Sequence, residues 1–403
     1  MILKETLRKI VRSQKEELVL FEEGIERERL REIDLNIPFA IVLSGIRRSG
    51  KSTLLKQLMK KIKNFYYFNF EDPRASNFEL DDFQKLNEIF VEEYGEHKHY
   101  FFDEIQNVNK WELFIRALLD KRKNVVITGS NASLLSKELG TRLTGRHLRY
   151  ELFPFSFKEY LKLTGKKIGM ISFEEYLTRG GFPEYLKLGR ANILQELLSD
   201  IINRDIAIRH KIRNVRTLRD LSVYLLTNIS KEFSYNKLKK IFNLGSVNSI
   251  ISFISYFEDS YLLFAIPKFD YSFKKQIVNP KKIYSIDNGL SIVNSASFSE
   301  DKGRLLENLV FIKLRQNYKE IFYFQENWEC DFVIKEGVKI TRTIQVCTDL
   351  NEDNKAREIN GLTGAIKKFN LNEGLILTYN QEEKFKVSGK TIRVLPVWKW
   401  LLE

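Results

Sequence analysis

The fold is decided by the stretch Gly45-Ile46-Arg47-Arg48-Ser49-Gly50-Lys51-Ser52, which fits the phosphate-binding (Walker A) pattern G-x-x-x-x-G-K-[ST]. An apolar run at residues 39–43 precedes it, and residues 53–59 follow with the apolar spacing of a helix. In such a strand–loop–helix context, backbone N–H groups and the helix N-terminus surround an anion. The sequence therefore predicts a P-loop in an α/β sheet, and with it a bound nucleotide.

The residues of this loop have expected roles in holding ATP and Mg²⁺. Lys51 is expected to reach the terminal phosphates, and the Ser52 hydroxyl is expected to ligate Mg²⁺. The full set of expected nucleotide-binding residues is Gly45, Arg47, Arg48, Ser49, Gly50, Lys51, Ser52 and Thr53. The alternative, a plain glycine turn, is disfavoured because both flanks have the required character.

Hydrolysis needs a second site, which is predicted where the run His99-Tyr100-Phe101-Phe102 ends in Asp103 and Glu104. Such a run indicates a buried strand with carboxylates at its C-terminal edge, where α/β sheets bind ligands. Asp103 is expected to hold Mg²⁺ through water, and Glu104 is expected to polarise the attacking water. Without the P-loop, the same run would equally indicate a strand that ends in solvated acids.

Residues 124–129 form a further apolar run that ends in Ser130 and Asn131. In nucleotidases with an added strand between the two phosphate motifs, the tip of that strand carries a polar sensor of the γ-phosphate. Ser130 or Asn131 is the candidate, and a simple polar turn is the alternative. Arg142 and Arg146 follow as candidates for stabilising phosphate charge, in cis or toward a neighbouring subunit; the alternative for them is a solvated surface position.

The chain resembles a family of archaeal and bacterial AAA+-related ATPases whose C-terminal domain, of unknown function, is similar to PD-(D/E)xK nucleases. The resemblance covers nearly the whole chain. Beside the P-loop it rests on Phe102-Asp103-Glu104, Thr128-Gly129-Ser130, Leu143-Thr144-Gly145-Arg146, Leu152-Phe153-Pro154-Phe155-Ser156-Phe157-Lys158-Glu159-Tyr160, Gly180-Gly181-Phe182-Pro183-Glu184, Glu307-Asn308 and Glu329-Cys330-Asp331-Phe332.

The expected architecture has four parts. They are a parallel-sheet, AAA+-like ATPase core at 1–150, a helical lid at 151–212, a winged-helix domain at 213–290 and a nuclease-like α/β domain at 291–403. In the winged helix, three predicted helices precede a hairpin whose tip carries Phe273-Lys274-Lys275. Ser246 is the predicted N-cap of the third helix, the position of a recognition helix in such domains.

The net charge of +13 favours acidic partners, of which nucleic acid is the commonest. Basic residues concentrate in the middle of the chain, beginning with Arg204, Arg209, Lys211, Arg213, Arg216 and Arg219. DNA binding through this region, best through the hairpin tip, is therefore a hypothesis, and packing against another domain is its alternative. Two cysteines, a start that lacks a signal-peptide core and the absence of any apolar stretch that could span a bilayer favour a cytoplasmic protein without membrane association.

The order of elements after residue 303 resembles the PD-(D/E)xK core, which holds Mg²⁺ between carboxylates and uses a lysine to support the attacking water. Glu307 and Asp331 match the first positions. Gln345 and Cys347 stand where the second carboxylate and the lysine belong. The resemblance therefore implies a nuclease-like domain without nuclease activity.

The sequence thus predicts an ATP-hydrolysing, Mg²⁺-dependent molecular switch that binds ATP and ADP and has DNA, a protein partner or a second copy of itself as candidate partners. Two alternatives stay open. One is a nucleotide-gated interaction module with little turnover, and the other is an ATP-regulated nuclease. Intact Asp103 and Glu104 favour hydrolysis, whereas Gln345 and Cys347 argue against the nuclease.

Overall fold

The phosphate-binding loop is mounted on a five-stranded parallel sheet. The computed structural model describes residues 1–20, 24–130, 145–297 and 301–403, which form two compact units, Met1–Phe153 and Pro154–Glu403. The strands of the first unit are β1 (Ala40–Ser44), β2 (Phe65–Asn69), β3 (His99–Asp103), β4 (Asn124–Gly129) and β5 (His147–Glu151). Their order is β2-β3-β4-β1-β5, with all neighbours parallel. This arrangement confirms the predicted parallel α/β core, with β4 as the added strand between β1 and β3.

Helices cover both faces of this sheet. They are α1 (Lys4–Val19), α2 (Lys51–Met59), α3 (Asp82–Tyr94) and α4 (Trp111–Asp120). Because successive strand residues point to opposite faces, Val42 and Phe102 lie in one core with residues of α1, α3 and α4, whereas Ile41 and Phe101 lie in a second core with residues of α2. Burial on both faces explains why β1, β3 and β4 appear in the sequence as largely apolar runs.

The second unit begins with helices in the region predicted to be helical. They are α5 (Phe157–Thr164), α6 (Met170–Arg179), α7 (Pro183–Leu188), α8 (Asn192–Asp200) and a π-helical segment, Ile201–Ile208. Ser156 and Glu159 form a capping box at the start of α5, which explains part of the motif that surrounds them. The function of this region as a lid stays a prediction.

The next segment contains the three predicted helices and a small antiparallel sheet. The helices are α9 (Val215–Thr227), α10 (Tyr235–Ile241) and α11 (Val247–Asp259), and the sheet has the order β6 (Glu232–Phe233), β8 (Lys281–Ser285), β7 (Leu263–Pro267). Ser246 caps α11 as predicted, accepting the Asn248 N–H at 3.1 Å. The hairpin tip is a short helix, α12 (Phe273–Val278), preceded by a turn in which Asp270 accepts the Ser272 N–H at 2.8 Å. The winged-helix identity stays a prediction.

The last part of the chain forms a six-stranded mixed sheet. Its order is β13 (Glu383–Val387), β14 (Lys390–Pro396), β12 (Glu373–Thr378), β11 (Lys339–Val346), β10 (Glu329–Glu336), β9 (Glu320–Gln325). Its helices are α13 (Asn288–Asn294), α14 (Lys302–Asn317), α15 (Glu352–Lys368) and α16 (Val397–Trp400). β9, β10 and β11 are antiparallel, whereas β12 is parallel to β11 and to β14. None of the helices in the described ranges is long and apolar enough to cross a membrane.

A buried carboxylate, Asp287, ties separate parts of the second unit together. It accepts the backbone N–H of Gly181 at 2.6 Å and that of Leu290 at 2.8 Å. Gly180 has a φ of 71°, and a Cβ atom there would lie 2.2 Å from Asp287 Oδ1. Gly180 is therefore required by close packing against this carboxylate, and Gly181 by the backbone of Phe155, whose carbonyl oxygen would lie 2.2 Å from a Cβ atom there.

The neighbouring Asn288 extends these contacts. Its side-chain amide donates to the carbonyls of Leu177 and Leu305, each at 2.9 Å. Asn308 donates to Asn288 Oδ1 at 2.8 Å. Asn308, half of the Glu307-Asn308 motif, is thus explained by a buried amide network that joins α6, α13 and α14.

Candidate nucleotide-binding site

Both glycines of the P-loop are required by the local backbone. Gly45 follows β1 with a φ of 153°, and a Cβ atom there would lie 2.1 Å from the carbonyl oxygen of Leu152. Gly50 has a φ of 94°, in the left-handed region, and stands as the N-cap of α2. The loop therefore takes a path that side chains at these positions would block or strain.

Lys51 places its ammonium group within the loop. Its Nζ donates to the carbonyls of Gly45 and Ile46, both at 3.2 Å, and lies 3.8 Å from Glu104 Oε1. The side chain is buried, so its charge interacts more strongly with nearby charges than it would in bulk water. The predicted phosphate-binding and water-activating residues are thus brought together by the ends of β1 and β3.

Two buried hydroxyls at the same edge of the sheet have no partner among the described residues. They are Ser49 Oγ in the loop and Ser130 Oγ just after β4. A buried hydroxyl without a partner costs about 1–3 kcal/mol. Both therefore fit a ligand with acceptor oxygens, such as a phosphate, and Ser130 lies where the γ-phosphate sensor was expected.

Asp103 and Ser52, the two residues expected to bind Mg²⁺, are in hydrogen-bond contact. Asp103 is fully buried and accepts hydrogen bonds from Thr128 Oγ1 at 2.5 Å and from the Ser52 side chain. Burial, followed by the nearby charge of Glu104, raises the pKa of Asp103 to about 6. A hydroxyl and a carboxylate in direct contact are oxygen ligands of the kind that Mg²⁺ prefers.

Glu104 adopts a left-handed backbone conformation with a φ of 51°. Its N–H donates to Thr128 Oγ1 at 2.9 Å, and its Oε2 accepts a hydrogen bond from Gln106 Nε2. The same Thr128 hydroxyl therefore bonds to both acidic residues. Thr128 and Gln106 hold the carboxylates in place, and sequence reasoning had given neither of them a role.

The remaining predicted loop residues lie as follows. Arg47 Nη1 lies 3.5 Å from Glu71 Oε1, directed toward the end of β2. Arg48 has a left-handed φ of 61°. Thr53 follows Ser52 in the first turn of α2, which is consistent with its predicted place in the nucleotide site.

The structure does not bring Arg146 to the P-loop. Arg146 precedes β5, at the N-terminal edge of the parallel sheet, and its guanidinium pairs with Asp120 at 2.5 Å. The loop leaves β1 at the opposite edge, so the prediction of a role in cis is not supported by this geometry. A role toward a neighbouring subunit stays a prediction. Asn131 and Arg142 lie outside the described residues.

Two arginines contact the loop or its flank without having been predicted. Arg27, only 2% exposed, donates to the carbonyl of Ser49 at 2.5 Å and to that of Phe153 at 2.8 Å. Arg149 on β5 donates to Ser44 Oγ, the last residue of β1, at 2.9 Å. Arg27 lies in a charged segment without a recognisable motif, and the partner of Arg149 lies on a different strand. No local sequence pattern therefore predicts a role for either arginine.

In the second unit, Glu307 and Asp331 share one partner, and the nuclease-like identity of this region stays a prediction. Both contact Lys282 of β8, whose Nζ lies 3.1 Å from Glu307 Oε1 and 3.0 Å from Asp331 Oδ1. Glu329 Oε1 lies 2.5 Å from the same Nζ. These residues line a cavity of about 820 Å³. Sequence reasoning missed Lys282 because it lies far from the motif in the chain.

Gln345 and Cys347 line the same cavity. Gln345 accepts the Asp331 N–H at 3.3 Å and donates to Glu358 Oε2 at 2.6 Å. Burial raises the pKa of the Cys347 thiol to about 12, so the thiol stays neutral. The Gln345 side chain thus bonds to the backbone of Asp331 and to the carboxylate of Glu358. The neutral Cys347 thiol supplies no charge to the cavity.

Comparisons with family models and with known proteins identify relatives of this chain. Residues 38–161 match the model of a family described as an AAA domain, and residues 170–299 match a domain of unknown function, DUF8612. The chain is 39% identical, over 92% of its length and 90% of the relative's, to an uncharacterized protein of Methanocaldococcus jannaschii, MJ1544. It is 28% identical to an uncharacterized protein of Haemophilus influenzae, over 91% of this chain and 94% of that protein.

Among solved structures, AMPPCP-bound DnaA from Aquifex aeolicus is similar to 62% of this chain over 88% of its own length, with 14% identity and a TM-score of 0.28. A score this low supports no argument about function.

Proposed function

We propose that this chain, which belongs to the family of the uncharacterized protein MJ1544 and contains an AAA domain, binds ATP with Mg²⁺ and hydrolyses it as a molecular switch. One observation carries the proposal: within the described part of the chain, the buried hydroxyls of Ser49 and Ser130 have no partner, and both lie at the edge of the sheet where Lys51 and Glu104 meet. That arrangement fits a phosphate chain better than it fits a closed structural turn.

In this proposal each group has a separate task. Lys51 and the backbone N–H groups of the loop bind the phosphates, and Ser130 contacts the terminal phosphate. Ser52 and Asp103 would hold Mg²⁺, which when bound neutralises charge on the phosphates. Glu104, oriented by Gln106, accepts the proton of the attacking water.

The test compares Lys51→Ala and Glu104→Gln with the native protein in ATP-binding and ATPase assays. Lys51→Ala is expected to abolish binding because the phosphates lose their buried cation. Glu104→Gln is expected to keep ATP binding and to lower kcat by about 10²-fold or more, since an amide is no general base. Glu26→Gln, on an exposed pair with Arg31, is the matched control.

Full turnover by Glu104→Gln would place the base elsewhere. Tight ATP binding by the native protein without turnover would instead favour the alternative of a nucleotide-gated interaction module.

A second proposal is that DNA binds the segment around α12. Tyr271 and Phe273 are 76% and 73% exposed, and Lys274 and Lys275 stand exposed beside them. Exposed aromatic rings next to cations are typical of surfaces that stack on bases and follow a phosphate backbone. In this proposal ATP turnover and DNA binding are coupled, so DNA is expected to change the ATPase rate.

We further propose that the six-stranded sheet and its helices are a nuclease-like domain that does not cleave DNA. The support is the chemistry of Gln345 and Cys347, which supply neither a carboxylate nor a cation to the cavity. The alternative of an ATP-regulated nuclease predicts metal-dependent cleavage by the native protein.

A further inference from the structure

Lys282 lies at the centre of the carboxylate cluster of the second unit, which we define as Glu307, Glu329 and Asp331. Its ammonium contacts one oxygen of each of the three at 3.1, 2.5 and 3.0 Å. The side chain is only 4% exposed. A buried cation in contact with three acids is an arrangement that the fold has to build from separate elements, here β8, α14 and β10.

The carboxylates of the cluster are held in place by other bonds. Tyr284 donates its hydroxyl to Glu307 Oε1 at 2.7 Å, and the Val346 N–H donates to Asp331 Oδ2 at 2.9 Å. The oxygens that face Lys282 are therefore directed at a common point by groups outside the cluster, and Lys282 lies at that point.

The electrostatics keep Lys282 charged. Burial disfavours its ammonium form, but the charge of Glu307, together with those of Asp331 and Glu329, outweighs burial and raises the pKa of Lys282 well above its ordinary value. Burial, in turn, raises the pKa of Glu307 to about 7. The surrounding carboxylates therefore favour the ammonium form of Lys282, so the cluster contains its own cation.

A divalent metal does not fit this cluster as it stands. Mg²⁺ needs oxygen ligands at about 2.0–2.1 Å, directed at the ion from several sides. Here the oxygens are directed at Nζ, and an ion between Glu307 and Asp331 would lie against a like charge. Across the parts of the chain that the structure describes, no group of three or more His, Cys, Asp or Glu side chains could hold a metal ion.

We propose that Lys282 is a built-in counter-ion that occupies the position a divalent cation would take between Glu307 and Asp331, and that it keeps the cavity free of metal. The inference is independent of the ATPase proposal, because it concerns other residues. It rests on the proposal that this domain does not cleave DNA, for which it adds a cause that Gln345 and Cys347 do not provide. The acids that match the nuclease motif remain, but a lysine from another part of the chain occupies their shared ion position.

The experiment measures Mn²⁺ binding by the full chain without nucleotide, by calorimetry and by electron paramagnetic resonance. It compares the native protein with Lys282→Met, Lys282→Arg and the double variant Lys282→Met/Asp331→Asn. Any Mn²⁺ at the P-loop is common to all four proteins, so differences in stoichiometry report the cluster.

Lys282→Met is expected to bind one more Mn²⁺ per chain than the native protein. Lys282→Arg, which keeps the charge, and the double variant, which loses a ligand, are expected to bind no extra ion. If Lys282→Met folds only when Mn²⁺ is present, that dependence supports the proposal, because the metal then replaces the lost ammonium.

Three results would overturn the proposal. The first is an Mn²⁺ site in the native protein, beyond any at the P-loop, that the double variant lacks. The second is a folded Lys282→Met that gains no ion. The third is a Lys282→Met that fails to fold at any Mn²⁺ concentration, since the lysine would then have a packing role that a metal cannot replace.

Discussion

The guanidinium of Arg27 donates to the carbonyl of Ser49, inside the P-loop, at 2.5 Å, although 22 residues separate the two in the chain. A second bond from Arg27 reaches the carbonyl of Phe153 at 2.8 Å. Its own N–H donates to Gln57 of α2 at 3.2 Å. The guanidinium of Arg27 is therefore a buried cation that supports the backbone of the loop and joins it to neighbouring segments.

Arg27→Ala is expected to raise the KM for ATP about tenfold with a smaller effect on kcat, because loss of a charged hydrogen bond costs about 1.5–3 kcal/mol and two buried carbonyls lose their donor. Steady-state ATPase kinetics measure this. Arg27→Lys is expected to recover part of the loss, and the exposed Arg31→Ala is expected to change nothing. An unchanged KM in Arg27→Ala would contradict a positioning role.

Arg149 and Arg146 are expected to differ in their effect on hydrolysis. Arg149→Ala should lower kcat/KM roughly tenfold, since its bond to Ser44 fixes the start of the loop. Arg146→Ala should leave the rate within about twofold, because its partner is Asp120 at the far edge of the sheet. Rates measured over a range of protein concentrations check both. If the Arg146→Ala defect grew with protein concentration, that dependence would point to a role toward a neighbouring subunit.

The α12 proposal predicts a salt-dependent affinity for DNA. Binding measured by fluorescence anisotropy should fall steeply between about 50 and 200 mM salt. Lys274→Glu/Lys275→Glu should weaken it further, whereas Lys384→Glu/Lys386→Glu makes the same charge change on exposed residues of β13 and should have a smaller effect. No binding at low salt would remove the DNA proposal.

The native protein is expected to show no Mg²⁺- or Mn²⁺-dependent cleavage of DNA, whether single-stranded, duplex or branched. Gel assays with and without ATP measure this. Cleavage by the native protein that Asp331→Ala eliminates would establish the ATP-regulated nuclease instead.

Asp287 predicts a pH dependence of stability. Burial raises its pKa to about 6, against an ordinary value of 3.8, although backbone N–H groups, including that of Gly181, oppose the shift. Between these values the folded chain keeps a proton that the unfolded chain releases. The unfolding free energy of the second unit should therefore fall as the pH rises through this window, by at most about 3 kcal/mol.

Urea unfolding of the native protein and of Asp287→Asn at pH 4.5 and 6.5 separates this contribution from those of other acids. The native protein should lose more stability than the variant across the interval. An identical pH dependence in both would show that Asp287 titrates normally.

Local sequence patterns predicted the features whose geometry depends only on residues that are adjacent in the chain. The P-loop, the acids after β3 and the cap at Ser246 each rest on a short motif with a known backbone geometry, and each was found in its predicted element. Such patterns do not indicate β13, because its sequence, Glu383-Lys384-Phe385-Lys386-Val387, has the charges of an exposed edge strand rather than an apolar run.

The long-range contacts could not be predicted in this way. Lys282 and Asp331 are 49 residues apart, and their contact depends on how β8 lies against α14 and β10. The position of Arg146 is a second case: it follows the γ-phosphate sensor candidates in the chain, yet the direction of β5 places it at the edge of the sheet opposite the P-loop. Sheet order and strand direction, rather than composition, decide both cases.

The bonds around Asp287 and Asn288 determine how the chain can be divided for experiments. A fragment that ends before residue 287 would leave the N–H of Gly181 without its acceptor, and one that begins at residue 213 would leave the Asp287 carboxylate without that donor. A fragment that begins at Pro154 keeps every bond of this set on one polypeptide. We therefore expect the region after Phe153 to unfold in one cooperative transition and to resist proteases as one fragment. Shorter fragments of this region are expected to be mostly insoluble when expressed.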